Sequence, residues 1–191
     1  MENTASDERD KRLIRLLWET GMRASEICGY GNNPPQGMRV SDLIDRGREY
    51  FIRVRGKGGK VRFVPVVPDT FRRLSKYVEN ARPDLEIDEI WQGTRIDPRK
   101  GITVPMTPSG LGQMLQVVAG RASVDPKRTH PHNWRHSCAT YLIGTKHMNL
   151  LDVKAILGHK DLRTIERYTH LSASSTYKAL RTARQQQDEE D

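Results

Sequence analysis

The sequence predicts a mainly α-helical domain with one small antiparallel β-sheet, an α+β fold. Three observations carry that expectation. Apolar stripes at helical spacing, opened by capping residues and closed by glycines, recur before residue 81 and after residue 106. Between them, two alternating runs at 49–54 and 61–66 flank the basic turn Arg55-Gly56-Lys57-Gly58-Gly59-Lys60. With 191 residues, 36% of them hydrophobic, the chain is long enough to close one core.

Taken in order, Ser6 is placed to cap a first helix. Asp7 and Glu8 fill its first turn, Leu13, Ile14, Leu17 and Trp18 form its stripe, and Gly21 ends it. Residues 24–28 read as a second short helix, and 29–37, containing Asn32-Asn33-Pro34-Pro35, as loop. Strands are expected at 38–44, 49–54 and 61–66, the last two joined by a hairpin whose glycines permit positive φ. Pro68 opens a helix to about Asn80. Residues 81–106 are poorly patterned, with a short strand expected at 89–92.

The remainder reads as helical. Thr107 and Pro108 start a helix with Leu111, Leu115 and Val118 in register, closed by Gly120. Another runs from Pro131 or His132 to about Ile143, closed by Gly144. Asn149 caps a third, with Leu150, Val153 and Leu157 as its stripe and Gly158 as its stop. A short helix is expected at 165–168 and a last one at 173–187, followed by a frayed acidic tail at 188–191.

The formal net charge is +8, and the four acidic residues at 188–191 conceal a still more basic body. A basic surface of this size favours a polyanionic partner, because cations set beside phosphates release counterions. Cys28 and Cys138 are far apart with no CxxC, so reduced thiols and a cytoplasmic, nucleoid-associated location are expected. No apolar run reaches the length of a membrane span, and no membrane partner is expected.

The chemistry-bearing residues cluster late in the chain. His132 and Arg135, three apart, face one way on a helix; His159 follows Leu157-Gly158, and Tyr168 lies nine residues further on. Two imidazoles, a guanidinium fork for phosphate and a phenol able to attack phosphorus, with Arg23 upstream, read as phosphodiester chemistry on nucleic acid. Each residue alone also fits an ordinary role. Arg23 and Lys57 suit a solvated surface, His159 a helix C-terminus, and Tyr168 a core or rim position.

In sequence order stand Thr20-Gly21-Met22-Arg23-Ala24-Ser25-Glu26-Ile27, the 56–60 hairpin with Arg62-Phe63-Val64-Pro65, His132-x-x-Arg135-His136-Ser137-x-Ala139-Thr140, Leu157-Gly158-His159 and Tyr168-Thr169-His170. Together they resemble the tyrosine recombinase, or phage integrase, family over roughly residues 8–175. The resemblance implies that family's catalytic-domain fold and a site-specific recombinase. Such an enzyme breaks and rejoins double-stranded DNA through a 3′-phosphotyrosyl link, without metal or other cofactor.

It further implies that Arg23 and Arg135 clamp the scissile phosphate and that Lys57 protonates the departing 5′ oxygen. His132 would serve as general base or hydrogen-bond partner, His159 would bond a phosphate oxygen, Tyr168 would be the nucleophile, and Glu26 would support by orienting a neighbour. Arg55, Lys60 and Arg62 are expected to contact DNA from the hairpin. The family pattern has an acidic residue and leucine between the histidine and arginine, where Asn133 and Trp134 stand here.

On this resemblance, residues 1–187 form one catalytic domain, with 173–187 exchanged between protomers of a homo-oligomer, a tetramer on DNA. The N-terminal core-binding domain usual in the family is expected to be absent, leaving room for an accessory DNA-bending or core-binding protein. Two rival readings remain: a non-catalytic DNA-binding accessory module with the same fold, and type IB topoisomerase-like relaxation. His130, His132 and His136 form H-x-H-x₃-H, a weak zinc spacing with no supporting glutamate or cysteine pair.

Overall fold

The computed structural model describes residues 1–29, 37–56, 60–83, 87–144 and 148–158. Lys57, His159 and Tyr168, the expected helices at 165–168 and 173–187 and the acidic tail lie outside the described residues, as does most of the 29–37 loop. The described residues form helices α1 (Glu8–Thr20), α2 (Ala24–Cys28), α3 (Pro68–Asn80), α4 (Pro108–Arg121), α5 (Pro131–Gly144) and α6 (Leu150–Leu157) and two small antiparallel sheets. One sheet has the order β1 (Leu43–Asp45), β2 (Tyr50–Arg55), β3 (Val61–Val66), and the other pairs β4 (Gln92–Ile96) with β5 (Thr103–Pro105). The described fold is therefore mainly α with antiparallel strands, as the sequence predicts, but it holds a second small sheet, β4–β5, where one sheet is expected.

The α1 stripe is buried at Leu13, Ile14, Leu16 and Leu17, with Gly21 as a left-handed C-cap at φ 55°. Burying each of these leucines stabilises by about 1.5–3 kcal/mol relative to exposure. The cap is Asp7 rather than Ser6: its carboxylate accepts from the Arg9 amide at 2.9 Å, while Ser6 accepts from Arg121. The larger core joins α1 to Ile52, Val54, Val64 and Val66 of the sheet, Phe71, Leu74 and Tyr77 of α3, and Leu111, Leu115 and Val118 of α4. Trp91 is wholly buried in it and stacks on Tyr77 with ring centroids 5.8 Å apart.

A smaller cluster of Cys138, Ala139, Ile143, Val153 and Leu157 binds α5 to α6. The two clusters meet at Gly21, where a Cβ would lie 2.6 Å from Leu157 Cδ2 and 3.2 Å from Cys138 Sγ. Glycine therefore serves twice here, for its positive φ and for the closeness of α5 and α6.

Three expected boundaries need correction. The strand expected at 38–44 is only Leu43–Asp45; before it, Val40–Asp42 form a 3₁₀ turn. The cause is Asp42, fully buried, whose carboxylate accepts from the Arg39 amide at 2.9 Å and pairs with Arg53 at 2.8 Å and Arg55 at 2.6 Å. The strand expected at 89–92 is a single antiparallel bridge, Glu89 to Arg39, and the real strand β4 begins at Gln92. Helix α4 passes Gly120 and ends at Arg121, and the positive φ falls on Ser123 at 55°.

Candidate functional site

Strand periodicity sets the first half of the site. Along β3, Val64 and Val66 face the core, so Arg62 shares their face, while Val61, Phe63 and Pro65 are exposed on the other. The register places Arg62 opposite Val54, which is also buried. Arg62 thus reaches inward, and its fork closes on Glu26 of α2, NH1 donating to Oε1 at 2.7 Å and NH2 to Oε2 at 3.0 Å.

Glu26 is the hub of this half. Its side chain is 1% exposed, and it also accepts from the Arg23 amide at 2.8 Å and from Arg23 NH1 at 2.9 Å. Burial alone would raise its pKa. The Arg62 hydrogen bonds and the Arg23 amide outweigh that and hold the carboxyl below its ordinary value. Arg23 itself is 40% exposed, so its guanidinium is oriented from behind and open in front.

Helix α5 supplies the second half. Arg135 is buried and donates to the Gly21 carbonyl at 2.8 Å and the Leu157 carbonyl at 2.6 Å. Desolvation, then the nearby Arg23, lowers its pKa to about 10, which leaves it charged at neutral pH. His132, one turn earlier on α5, is exposed. Trp134, one of the two departures from the family pattern, packs against the larger core, so the substitution is absorbed on the side away from solvent.

The two halves meet at the C-terminus of α6, where Gly158 adopts φ 65°. Its last carbonyls accept from the arginines: Ile156 from Arg62 at 3.4 Å, Leu157 from Arg135 and, at 3.5 Å, Gly158 from Arg23. Cations suit this end of a helix, where unsatisfied carbonyls carry partial negative charge. Arg23 and Arg62 thus share one carboxylate, Glu26, while Arg135 adds a third positive charge held by main-chain carbonyls, and the surplus can receive an anion.

Of the expected site residues, the structure brings together Arg23, Glu26, Arg62 and Arg135; His132 is exposed one turn before Arg135 on α5. Arg55 lies on the opposite face of the sheet, paired with Asp42, and Lys60 is exposed beside the hairpin. Sequence reasoning assigned no role to Asp42; its position among Arg39, Arg53 and Arg55 was the only available signal. A cleft of about 600 Å³ between the α1 N-terminus, β4–β5 and α4 is lined by none of the expected site residues. Among the described residues, no three His, Cys, Asp or Glu side chains group as metal ligands; His132 and His136 lie on α5, and His130 directly precedes it.

Comparison with known proteins adds the decisive observation: residues 1–175 match the family model described as the phage integrase family. The chain belongs to the phage integrase family. Tyrosine recombinase XerD of Yersinia pestis is 32% identical to this integrase-family chain over 168 residues, covering 86% of the chain and 50% of that protein. The crystal structure of XerA recombinase superposes with a TM-score of 0.69 at 25% identity, covering 96% of this chain and 61% of the other. The XerH recombinase bound to a palindromic difH substrate, a post-cleavage complex, gives a TM-score of 0.65 at 25% identity over 91% of this chain and 45% of that one. The chain spans about half the length of the curated relatives it matches.

Proposed function

We propose that this chain is the catalytic domain of a tyrosine-type site-specific recombinase acting on double-stranded DNA. The observation that carries the reading is the meeting of Arg23 and Arg135 at the carbonyls of Leu157 and Gly158, directly before His159. Guanidiniums fixed beforehand by protein partners meet growing negative charge on a phosphoryl group without reorganising, which is where electrostatic catalysis is strongest.

In this mechanism the scissile phosphate lies on Arg23 and Arg135, and the Tyr168 phenol oxygen attacks phosphorus while His132 accepts its proton. The bond to the 5′ oxygen breaks as Lys57 supplies a proton, and His159 bonds a non-bridging oxygen. The product is a 3′-phosphotyrosyl link and a free 5′-hydroxyl. Attack by that hydroxyl, or by one from a second duplex, reverses the step; the ester energy is conserved and no cofactor is consumed. Strand exchange between two duplexes needs four such sites, hence a homotetramer on DNA. Residues 1–187 form the domain, and 173–187 are the segment exchanged between protomers.

Incubation with a nicked suicide duplex tests the reading. A covalent protein–DNA adduct that survives denaturation and disappears in Tyr168→Phe is expected. Binding without an adduct means an accessory module, and supercoil relaxation without recombinant product means topoisomerase-like activity.

A further inference from the structure

Arg62 sits on a basic hairpin, where an arginine is expected to meet DNA, yet its side chain is only 19% exposed and its fork points into the protein. All three guanidinium nitrogens are engaged. NH1 and NH2 hold the two oxygens of Glu26, and Nε lies 3.4 Å from the Ile156 carbonyl. One planar group therefore spans three elements that are far apart in sequence: β3, α2 and the C-terminus of α6.

Gly158 records the same contact from the other side. A Cβ there would lie 2.7 Å from Arg62 Nε, 2.8 Å from Cζ and 2.9 Å from Cδ. The left-handed φ of 65° already favours glycine at this helix end. The Arg62 side chain packed against the α6 terminus is a second, independent reason for it.

We propose that Arg62 is a positioning residue: it fastens the β2–β3 hairpin to the α6 terminus and, through Glu26, sets the aim of Arg23. It rests on the reading of Arg23 and Arg135 as the phosphate clamp. Its consequence is that the strand leading out of the Lys57 turn and the residue preceding His159 are held by the same side chain. Placement of the proposed general acid and of the proposed phosphate ligand is then coupled. Lysine cannot replace this arginine, because an ammonium cannot bind both carboxylate oxygens in a plane while also reaching the Ile156 carbonyl.

Three variants of the full chain decide the matter: Arg62→Met, Arg62→Lys and Gly158→Ala. Binding to mixed-sequence duplex DNA is measured against salt, together with hydrogen exchange by mass spectrometry and suicide-substrate cleavage at saturating DNA. A phosphate-contacting arginine contributes about 0.9 to the slope of log affinity against log salt. Arg62→Met is expected to leave that slope unchanged, to raise exchange at β3 and at the α6 end but not in α3, and to slow cleavage about a hundredfold. Arg62→Lys should behave like Arg62→Met. Gly158→Ala keeps the charge but displaces the guanidinium, so exchange should rise at β3 as well as in α6, whereas backbone strain alone would reach only α6.

A slope reduced by about one in Arg62→Met, wild-type behaviour of Arg62→Lys, or an exchange increase in Gly158→Ala confined to α6 overturns the proposal. A uniform rise in exchange overturns it too, since that marks a general structural role. Failure of the unmodified chain to form an adduct counts against the recombinase reading alone, because the exchange measurements still decide the role of Arg62.

Discussion

Leu157 and Gly21 are in contact so close that a Cβ on residue 21 would fall 2.6 Å from Leu157 Cδ2, and Arg135 then donates to the main-chain carbonyls of both. The loop that carries Arg23 and the helix that leads to His159 are thereby locked to one guanidinium. Substituting Gly21 strikes at that lock. Gly21→Ala adds left-handed strain at φ 55° and overpacks a fully buried junction. A loss of roughly 2–5 kcal/mol is expected, from about 1–2 for the backbone and 1–3 for the packing. Denaturant unfolding checks it; a loss under 1 kcal/mol would mean that α6 yields easily (about a tenth of a typical domain's stability).

Arg135→Lys separates charge from fork. Lysine keeps a cation but can satisfy only one of the Gly21 and Leu157 carbonyls with good geometry, which leaves the other buried without its donor. Adduct formation on the suicide duplex is expected to fall by about 10²–10³-fold. Stability should drop by about 1–3 kcal/mol. A variant that is equally stable but inactive would assign Arg135 to phosphate alone, and one with intact cleavage would remove it from the clamp.

Much of this arrangement was legible in the chain, and the illegible parts have physical causes. Gly21, Asn149 and Gly158 mark helix ends as capping chemistry requires, so α1 and α6 end where their residues say. Arg23 and Arg135 were readable from their motifs, and the structure adds what aims them: Glu26 behind one and main-chain carbonyls around the other. The inward direction of Arg62 was also readable, since strand alternation puts it on the face of Val64 and Val66, but its basic surroundings suggested DNA instead.

Other features had no local signal. Asp42 looks like a turn or surface residue, and only its distant partners Arg53 and Arg55 explain why it is buried and ends the expected strand early. The β4–β5 hairpin is short and polar along Gln92-Gly93-Thr94-Arg95-Ile96, so alternation is weak there. Its turn is fixed by Asp97, which accepts from the Arg99 amide at 2.8 Å, and by Gly101 at φ 67°.

The Glu26 carboxyl gives a pH signature. Its folded-state pKa lies below the ordinary 4.5, so it contributes stability that is present above that value and lost as pH falls through the lower folded-state pKa. Glu26→Gln removes the titration. The variant is expected to be less stable than the parent at pH 7, with the gap narrowing steadily as pH drops below about 4.5. Thermal melting of both proteins across that range measures it, and a gap that stays constant would mean that Glu26 does not ionise differently on folding.

The two cysteines report how the halves of the site come apart. Burial pushes both thiols up to about 12, so neither ionises near neutral pH and both should react slowly with a thiol reagent in the native protein. Cys28 belongs to the large core, whereas Cys138 belongs to the small α5–α6 cluster and donates weakly to the Glu19 carbonyl at 3.6 Å. A small cluster opens at lower free energy than a large one, so Cys138 should label before Cys28 as denaturant is added. Above pH 9 the unfolded thiols ionise while the folded ones stay neutral, and stability should fall as pH rises from there toward 12. Labelling of single-cysteine variants, followed by mass, distinguishes the outcomes. If Cys28 reacted first, the α5–α6 unit would be the firmer part, and Gly21 would then be held by α6 rather than holding it.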